Sequence, residues 1–134
     1  MSRSVLTLEN MTILLNVESK KLENMTIKHQ DAVAIVEPQR KRIDASFAIK
    51  FREDVIALVE QGQKKLVLNL SNVEFVDSSG LGAVVSIMKA IGGNQNLTLC
   101  HVKDSVLAVF KLTRMDKIFI ILPSEEEAVA RLQH

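Results

Sequence analysis

The stretch that most constrains the fold runs from Leu66 to Ala83. Leu66-Val67-Leu68-Asn69-Leu70 is almost continuously apolar, the pattern of a strand covered on both faces in the middle of a parallel sheet. Shortly after it, Asp77-Ser78-Ser79-Gly80 has the small polar residues of a helix start. Leu81, Val84, Val85 and Met88 follow at helical spacing, up to Gly92-Gly93. A strand buried on both sides needs strands beside it and helices above and below.

The rest of the chain supplies them. Ala32 to Val36 is a short apolar run stopped by Glu37-Pro38 and reads as a strand. From Ser46 to Glu60, Phe47, Ala48, Phe51, Val55, Ile56, Leu58 and Val59 predict a helix with one buried face. Asp44 or Ser46 can cap its start, and Gly62 can end it. Asn96 to His101 reads as a strand, Ser105 to Leu112 as a short helix and Lys117 to Leu122 as a last strand. Ser124 to Leu132 closes the chain as a helix, with Pro123 before it and Glu125, Glu126 and Glu127 in its first turn. This alternation predicts an α/β sandwich with some parallel pairing.

Residues 1–24 do not fit the alternation. Leu8-Glu9-Asn10-Met11-Thr12-Ile13 recurs as Leu22-Glu23-Asn24-Met25-Thr26-Ile27. Leu8, Met11, Leu15, Leu22 and Met25 could line a helix, and Met11 to Val17 could equally form an extra edge strand. The division expected is therefore an N-terminal extension over 1–24, as extra strand, helix or disordered segment, and one domain over 25–134.

Composition removes several classes of function. The 134 residues fit one domain, and 47% apolar with 25% charged residues is the balance of a folded globular chain. Seventeen basic against sixteen acidic residues, and five Phe with no Tyr or Trp, offer neither a strong field nor stacking platforms for nucleic acid. The longest apolar runs fall far short of the roughly 20 residues that span a bilayer. Glu9 interrupts the N-terminal apolar start, so no secretory signal is expected. A reduced, cytoplasmic setting is the expectation. Cys100 has no partner for an internal disulfide and reads as a small core residue. His29, His101 and His134 are scattered, so no metal is expected. Gly80-Leu81-Gly82 is too short for a dinucleotide fingerprint, no Gly-Lys-Ser/Thr cradle exists, and Ser78 lacks a nucleophile elbow. No cofactor and no catalytic constellation are expected.

Asp77-Ser78-Ser79-Gly80 has a plain structural reading: a cap followed by glycines that permit close packing. It also suits a switch. A phosphate on Ser78 would add about −1.5 to −2 charges at a helix N-terminus, where anions are favoured. Repulsion from Asp77 at about 6 Å in near-water dielectric would cost roughly 1 kcal/mol. The helix end returns about 0.3–1 kcal/mol. The fold would tolerate the group, whereas a partner burying this loop would face an unpaired dianion costing several kcal/mol.

The segment Leu66 to Gly82 resembles the signature of the bacterial anti-sigma-factor antagonists, the STAS domains. Arg42-Ile43-Asp44-Ala45 is similar to that family's Gly-Arg-Leu-Asp-Ala turn. The resemblance extends through Gly92-Gly93, Leu97-Thr98-Leu99, Leu112 to Phe119 and Ser124 to Ala128, and covers about Thr26 to Leu132. It implies a STAS-like sandwich: a mixed, mostly parallel sheet of four to five strands against about four helices. It further implies a non-enzymatic module that binds an anti-sigma serine kinase and frees the sigma factor. Phosphorylation at the position of Ser78 would end the binding, and a serine phosphatase would restore it. Asp44, Asp77, Ser79, Gly80 and Leu81 would form the partner surface.

Two features depart from the family. Lys41 replaces the glycine before Arg42, and residues 1–24 exceed the usual lead-in and could add a dimer or partner contact. The rival reading keeps the fold without the switch, as a structural subunit of a stressosome-like or transporter-associated complex. A nucleotide-binding module ranks last.

Overall fold

The structure, a computed structural model, describes residues 20–22 and 24–133. Strands β1 (Lys20–Leu22) and β2 (Met25–Gln30) form an antiparallel hairpin in which Leu22 lies opposite Met25. The second copy of the repeated hexapeptide thus makes a hairpin. The first copy, with the alternative strand or helix readings around Met11 to Val17, lies outside the described residues. Strand β1 falls inside the expected extension, yet it belongs to the main sheet, at its edge among the described residues.

Strand β3 (Val33–Pro38) pairs antiparallel with β2. A two-residue strand, β4 (Arg42–Ile43), leads into helix α1 (Ala45–Glu60). Gly62, at φ +109°, ends α1 in a conformation that favours glycine, and its N–H donates to the Val59 carbonyl. Strand β5 (Leu66–Asn69) is buried at every position. Strand β6 (Phe75–Val76) then enters helix α2 (Ser78–Ala90). Strand β7 (Leu97–Cys100), helix α3 (Asp104–Leu112), strand β8 (Ile120–Leu122) and helix α4 (Glu125–Leu132) complete the chain.

The main sheet has the order β1-β2-β3-β5-β7-β8. Pairings from β3 through β5 and β7 to β8 are parallel, and those of β1 and β2 are antiparallel. Five of its strands lie within residues 25–134, packed with four α-helices, the sandwich expected from the sequence. A separate parallel ribbon joins β4 to β6.

Alternation along the central strands explains the two layers. Leu66 and Leu68 face a large core with Phe47, Phe51, Ile87 and Phe110, supplied by α1, α2 and α3. Val67 faces the opposite way, with Val33, Ile35, Cys100, Ala128, Val129 and Leu132 under α4. Both faces are covered, so β5 reads as continuously apolar. Thr98, fully buried, donates its hydroxyl to the Ala128 carbonyl at 3.0 Å and fastens α4 down.

One element is shorter than its sequence pattern. The strand expected over Lys117–Leu122 begins only at Ile120, because Met115–Lys117 forms a 3-10 turn entered through Arg114 at φ +63°. Phe119 is drawn into the core against Phe110, with ring centroids 5.6 Å apart. Apolar content alone could not separate that anchor from the strand.

Candidate functional site

The ribbon of β4 and β6 builds the site. Ile43 pairs with Val76 and Arg42 with Phe75. Ile43 and Val76 are buried, whereas Arg42 and Phe75 before them are exposed and Asp44 and Asp77 after them are partly exposed. Each strand runs straight into a helix, and the residue at each junction is an aspartate.

Asp77 is the cap of α2, with Oδ1 accepting from the Gly80 N–H at 2.9 Å. Ser78 and Ser79 occupy the first two helical positions and are exposed. Gly80 is buried. A Cβ there would collide with the Ile43 carbonyl oxygen and lie 2.9 Å from its carbon and 3.0 Å from Val76 Cγ1. Only glycine lets α2 start this close to β4. Leu81 is half-buried beside the core.

Asp44 caps α1 in the same way. Its Oδ1 accepts from the Ser46 hydroxyl at 2.7 Å and the Ser46 N–H at 3.2 Å. Its Oδ2 accepts from Arg42 Nε at 3.1 Å. The Ser46 hydroxyl first, and then Arg42, hold the Asp44 carboxyl below its ordinary value. The Arg42 guanidinium lies over Phe75, 4.1 Å from the ring centroid. Arg40 is engaged elsewhere, 4.8 Å over Phe47 and bonded to the Ser46 hydroxyl at 3.4 Å.

Between α1 and α2 runs an open groove of about 360 Å³. Ala45, Ala48, Gly82 and Ala83 give it small walls, with Ile49 and Arg52 on one side and Ser79 and Ser86 on the other. Ile49 is 62% exposed, a large apolar side chain with nothing of this chain over it among the described residues.

The structure thus brings Asp44, Asp77, Ser78 and Ser79 to one end of the molecule and places Gly80 beneath them as a spacer. Sequence reasoning missed the Arg42–Phe75 stack and the groove. The Arg42-Ile43-Asp44 alternation signals two outward side chains around an inward one, but their neighbour across the ribbon follows only from the register. Among the described residues, no group of three or more His, Cys, Asp or Glu side chains could hold a metal ion. No helix among them is long and apolar enough to cross a membrane. Cys100 is buried, and burial pushes its thiol up to about 12.

The Asp44 carboxylate accepts from the Ser46 hydroxyl as part of the α1 cap, and Asp77 Oδ1 accepts from the Gly80 N–H. The arrangement presents an exposed serine at a helix start beside an apolar groove. Residues 24–128 match the STAS domain family, and the chain belongs to it. A Thermotoga maritima protein assigned as an anti-sigma factor antagonist is 31% identical over 77% of this chain and 92% of its own. A crystal structure of a Thermotoga maritima protein assigned as an anti-sigma factor antagonist, 31% identical, superposes with a TM-score of 0.73, covering 81% of this chain and 93% of the other. The anti-sigma-B factor antagonist of Staphylococcus epidermidis is 28% identical over 66% of this chain and 81% of its own. The Bacillus antagonist SpoIIAA, solved in unphosphorylated and phosphorylated forms, shares the fold at 19% identity, with TM-scores of 0.61 and 0.62. The unphosphorylated form covers 81% of this chain and 97% of its own.

Proposed function

We propose that this chain is an anti-sigma-factor antagonist of the partner-switching kind. It binds an anti-sigma serine kinase in the cytoplasm of a bacterial cell, and phosphorylation of Ser78 ends the binding. Residues 25–134 form the binding domain, and 1–24 are an extension to it. The observation that carries the reading is the position of Ser78. It is exposed at the first position of a helix whose start is fixed from below by Gly80 on Ile43.

Asp44, Asp77, Ser79, Gly80 and Leu81 form the partner-binding surface around it, Gly80 by setting the height of the helix. The chain is the substrate. The kinase's ATP supplies the phosphoryl group, a new P–O bond forms to Ser78 Oγ as its proton leaves, and ADP departs. A serine phosphatase returns the hydroxyl by hydrolysis.

The switch follows from charge. The free chain keeps a phosphate at this position in water, where its charge costs little. A partner closing over the same surface would strip that water, and an uncompensated dianion there costs several kcal/mol. Binding is lost and the fold is kept.

The test is intact-mass analysis after incubation with ATP and the ATPase-type serine kinase encoded in the same genome. Wild type and Ser79→Ala gain one phosphate, and Ser78→Ala gains none. A phosphate on Ser78→Ala, or none on wild type, contradicts the assignment.

A further inference from the structure

Arg42 is held at two points. Its guanidinium rests on Phe75, 4.1 Å from the ring centroid, and its Nε donates to Asp44 Oδ2 at 3.1 Å. Neither contact uses the outer edge of the guanidinium, the pair of terminal nitrogens that forks onto a carboxylate or phosphate. The side chain is 58% exposed, so that edge is within reach of a new group on the surface.

The register sets where such a group can stand. Arg42 lies beside Phe75, three residues before Ser78. At about 3.3 Å per residue the two backbones are about 10 Å apart along the strand, a gap that an arginine and a phosphoserine together span. A phosphate on Ser78 would enter a neighbourhood that already holds the Asp44 and Asp77 carboxylates. Of the other cations at this end, Arg52 lines the α1–α2 groove with Ser79 and not the ribbon. Arg40 is occupied by Phe47 and Ser46, and Lys103 pairs with Glu74 at 3.6 Å. Lys41 is exposed and lies outside the paired residues of the ribbon, which begin at Arg42.

We infer that Arg42 is the internal receptor for the phosphate of modified Ser78, and that it gives up Asp44 on taking the phosphate. The inference rests on the proposed modification of Ser78 and adds a second event to it. Phosphorylation then alters the partner surface at two places: it adds charge at Ser78 and releases the carboxylate of Asp44 from its guanidinium. Arg42 is a positioning residue here, acting on the partner through Asp44.

The test uses full-length protein with phosphoserine installed at position 78 during translation, so no kinase is needed. The second ionisation of the phosphate is followed by 31P NMR across pH in three backgrounds: wild type, Arg42→Gln and Lys41→Gln. An adjacent guanidinium favours the dianion, so the phosphate pKa in wild type lies at least about half a unit below that in Arg42→Gln. Lys41→Gln behaves as wild type. In parallel, the Ser46 amide, which donates to Asp44, changes its resonance on phosphorylation in wild type and not in Arg42→Gln. A second neutral variant, Arg42→Met, puts an apolar side chain beside Phe75 and gives the same pKa as Arg42→Gln. Equal phosphate pKa values in wild type and both Arg42 variants, or a shift produced by Lys41→Gln instead, overturn the inference. Because the phosphate is placed synthetically, this result is independent of whether a kinase selects Ser78, which the mass analysis decides separately.

Discussion

Ile43 and Val76 are register partners in a two-stranded parallel ribbon, and the residue after each is the aspartate that caps a helix. Two helix starts therefore stand side by side at one end of the molecule, and their capping carboxylates are neighbours. The ribbon lies apart from the main sheet, and its outer side carries Arg42, Asp44, Phe75 and Asp77, each at least partly open to solvent. Backbone pairing has turned two short motifs, some thirty residues apart in sequence, into one surface.

Gly80 and Gly82 give a direct contrast. A methyl group at Gly80 meets the backbone carbonyl of Ile43, which cannot step aside without moving the ribbon. Gly80→Ala should cost about 1–3 kcal/mol, as overpacking does. A methyl group at Gly82 would meet no atom within 4 Å, so Gly82→Ala should be neutral or gain up to about 1 kcal/mol from helix propensity. Urea unfolding of both variants measures this, and equal midpoints would remove the spacer role. Gly82 also lines the groove, so its alanine variant should bind the partner more weakly while folding at least as well.

The sequence made the layers legible because they rest on periodicity. The unbroken apolar run of β5 requires two covered faces, and the helix at Ser78 announces itself through Asp77. The ribbon was not legible. Each of its strands is two residues long, and a two-residue strand has no period to detect. Strand β2 was missed for a related reason: Lys28, His29 and Gln30 dilute its pattern, and only Met25 and Ile27 on its inner side are buried. The candidate serine was legible at the helix start, and the family resemblance gave it its role. The stacking of Arg42 on Phe75 needed the register.

Lys28 and Glu125 form an ion pair of 2.7 Å between β2 and the start of α4. Burial raises the Glu125 carboxyl, but hydrogen bonds from Lys28 and Asn69 outweigh it and hold the group below its ordinary value of 4.5. The hydrogen bond to Glu125 holds Lys28 above its ordinary 10.5. The carboxylate's stabilisation is complete above pH 4.5 and is lost as pH falls through its lowered folded value. That of Lys28 is complete below pH 10.5 and is lost as pH rises through its raised value. Glu125→Gln should therefore flatten both limbs of the stability profile. The effect is small, because Lys28 is 49% exposed and screened by solvent. Thermal melts across pH at low salt measure it, and limbs as steep as in wild type would contradict the assignment.

Cys100 should be inert in the folded protein. It is fully buried on β7, with its thiol at about 12, so almost no thiolate exists near neutral pH. A thiol reagent at about pH 8, near the ordinary thiol pKa, should label it at the rate of unfolding in buffer and at once in denaturant. Rapid labelling in buffer would mean that the α4 layer opens far more readily than its packing on Val33, Ile35 and Val67 implies.

The central claim is that the charge on Ser78 decides which protein this chain holds. The most direct measurement uses wild type, Ser78→Ala and Ser78→Asp as baits in native cell extract, with mass spectrometry of what is retained. Wild type and Ser78→Ala should recover a small ATPase-type serine kinase, and Ser78→Asp should not. Recovery of one and the same non-kinase complex by all three baits would contradict the account and make the chain a structural subunit.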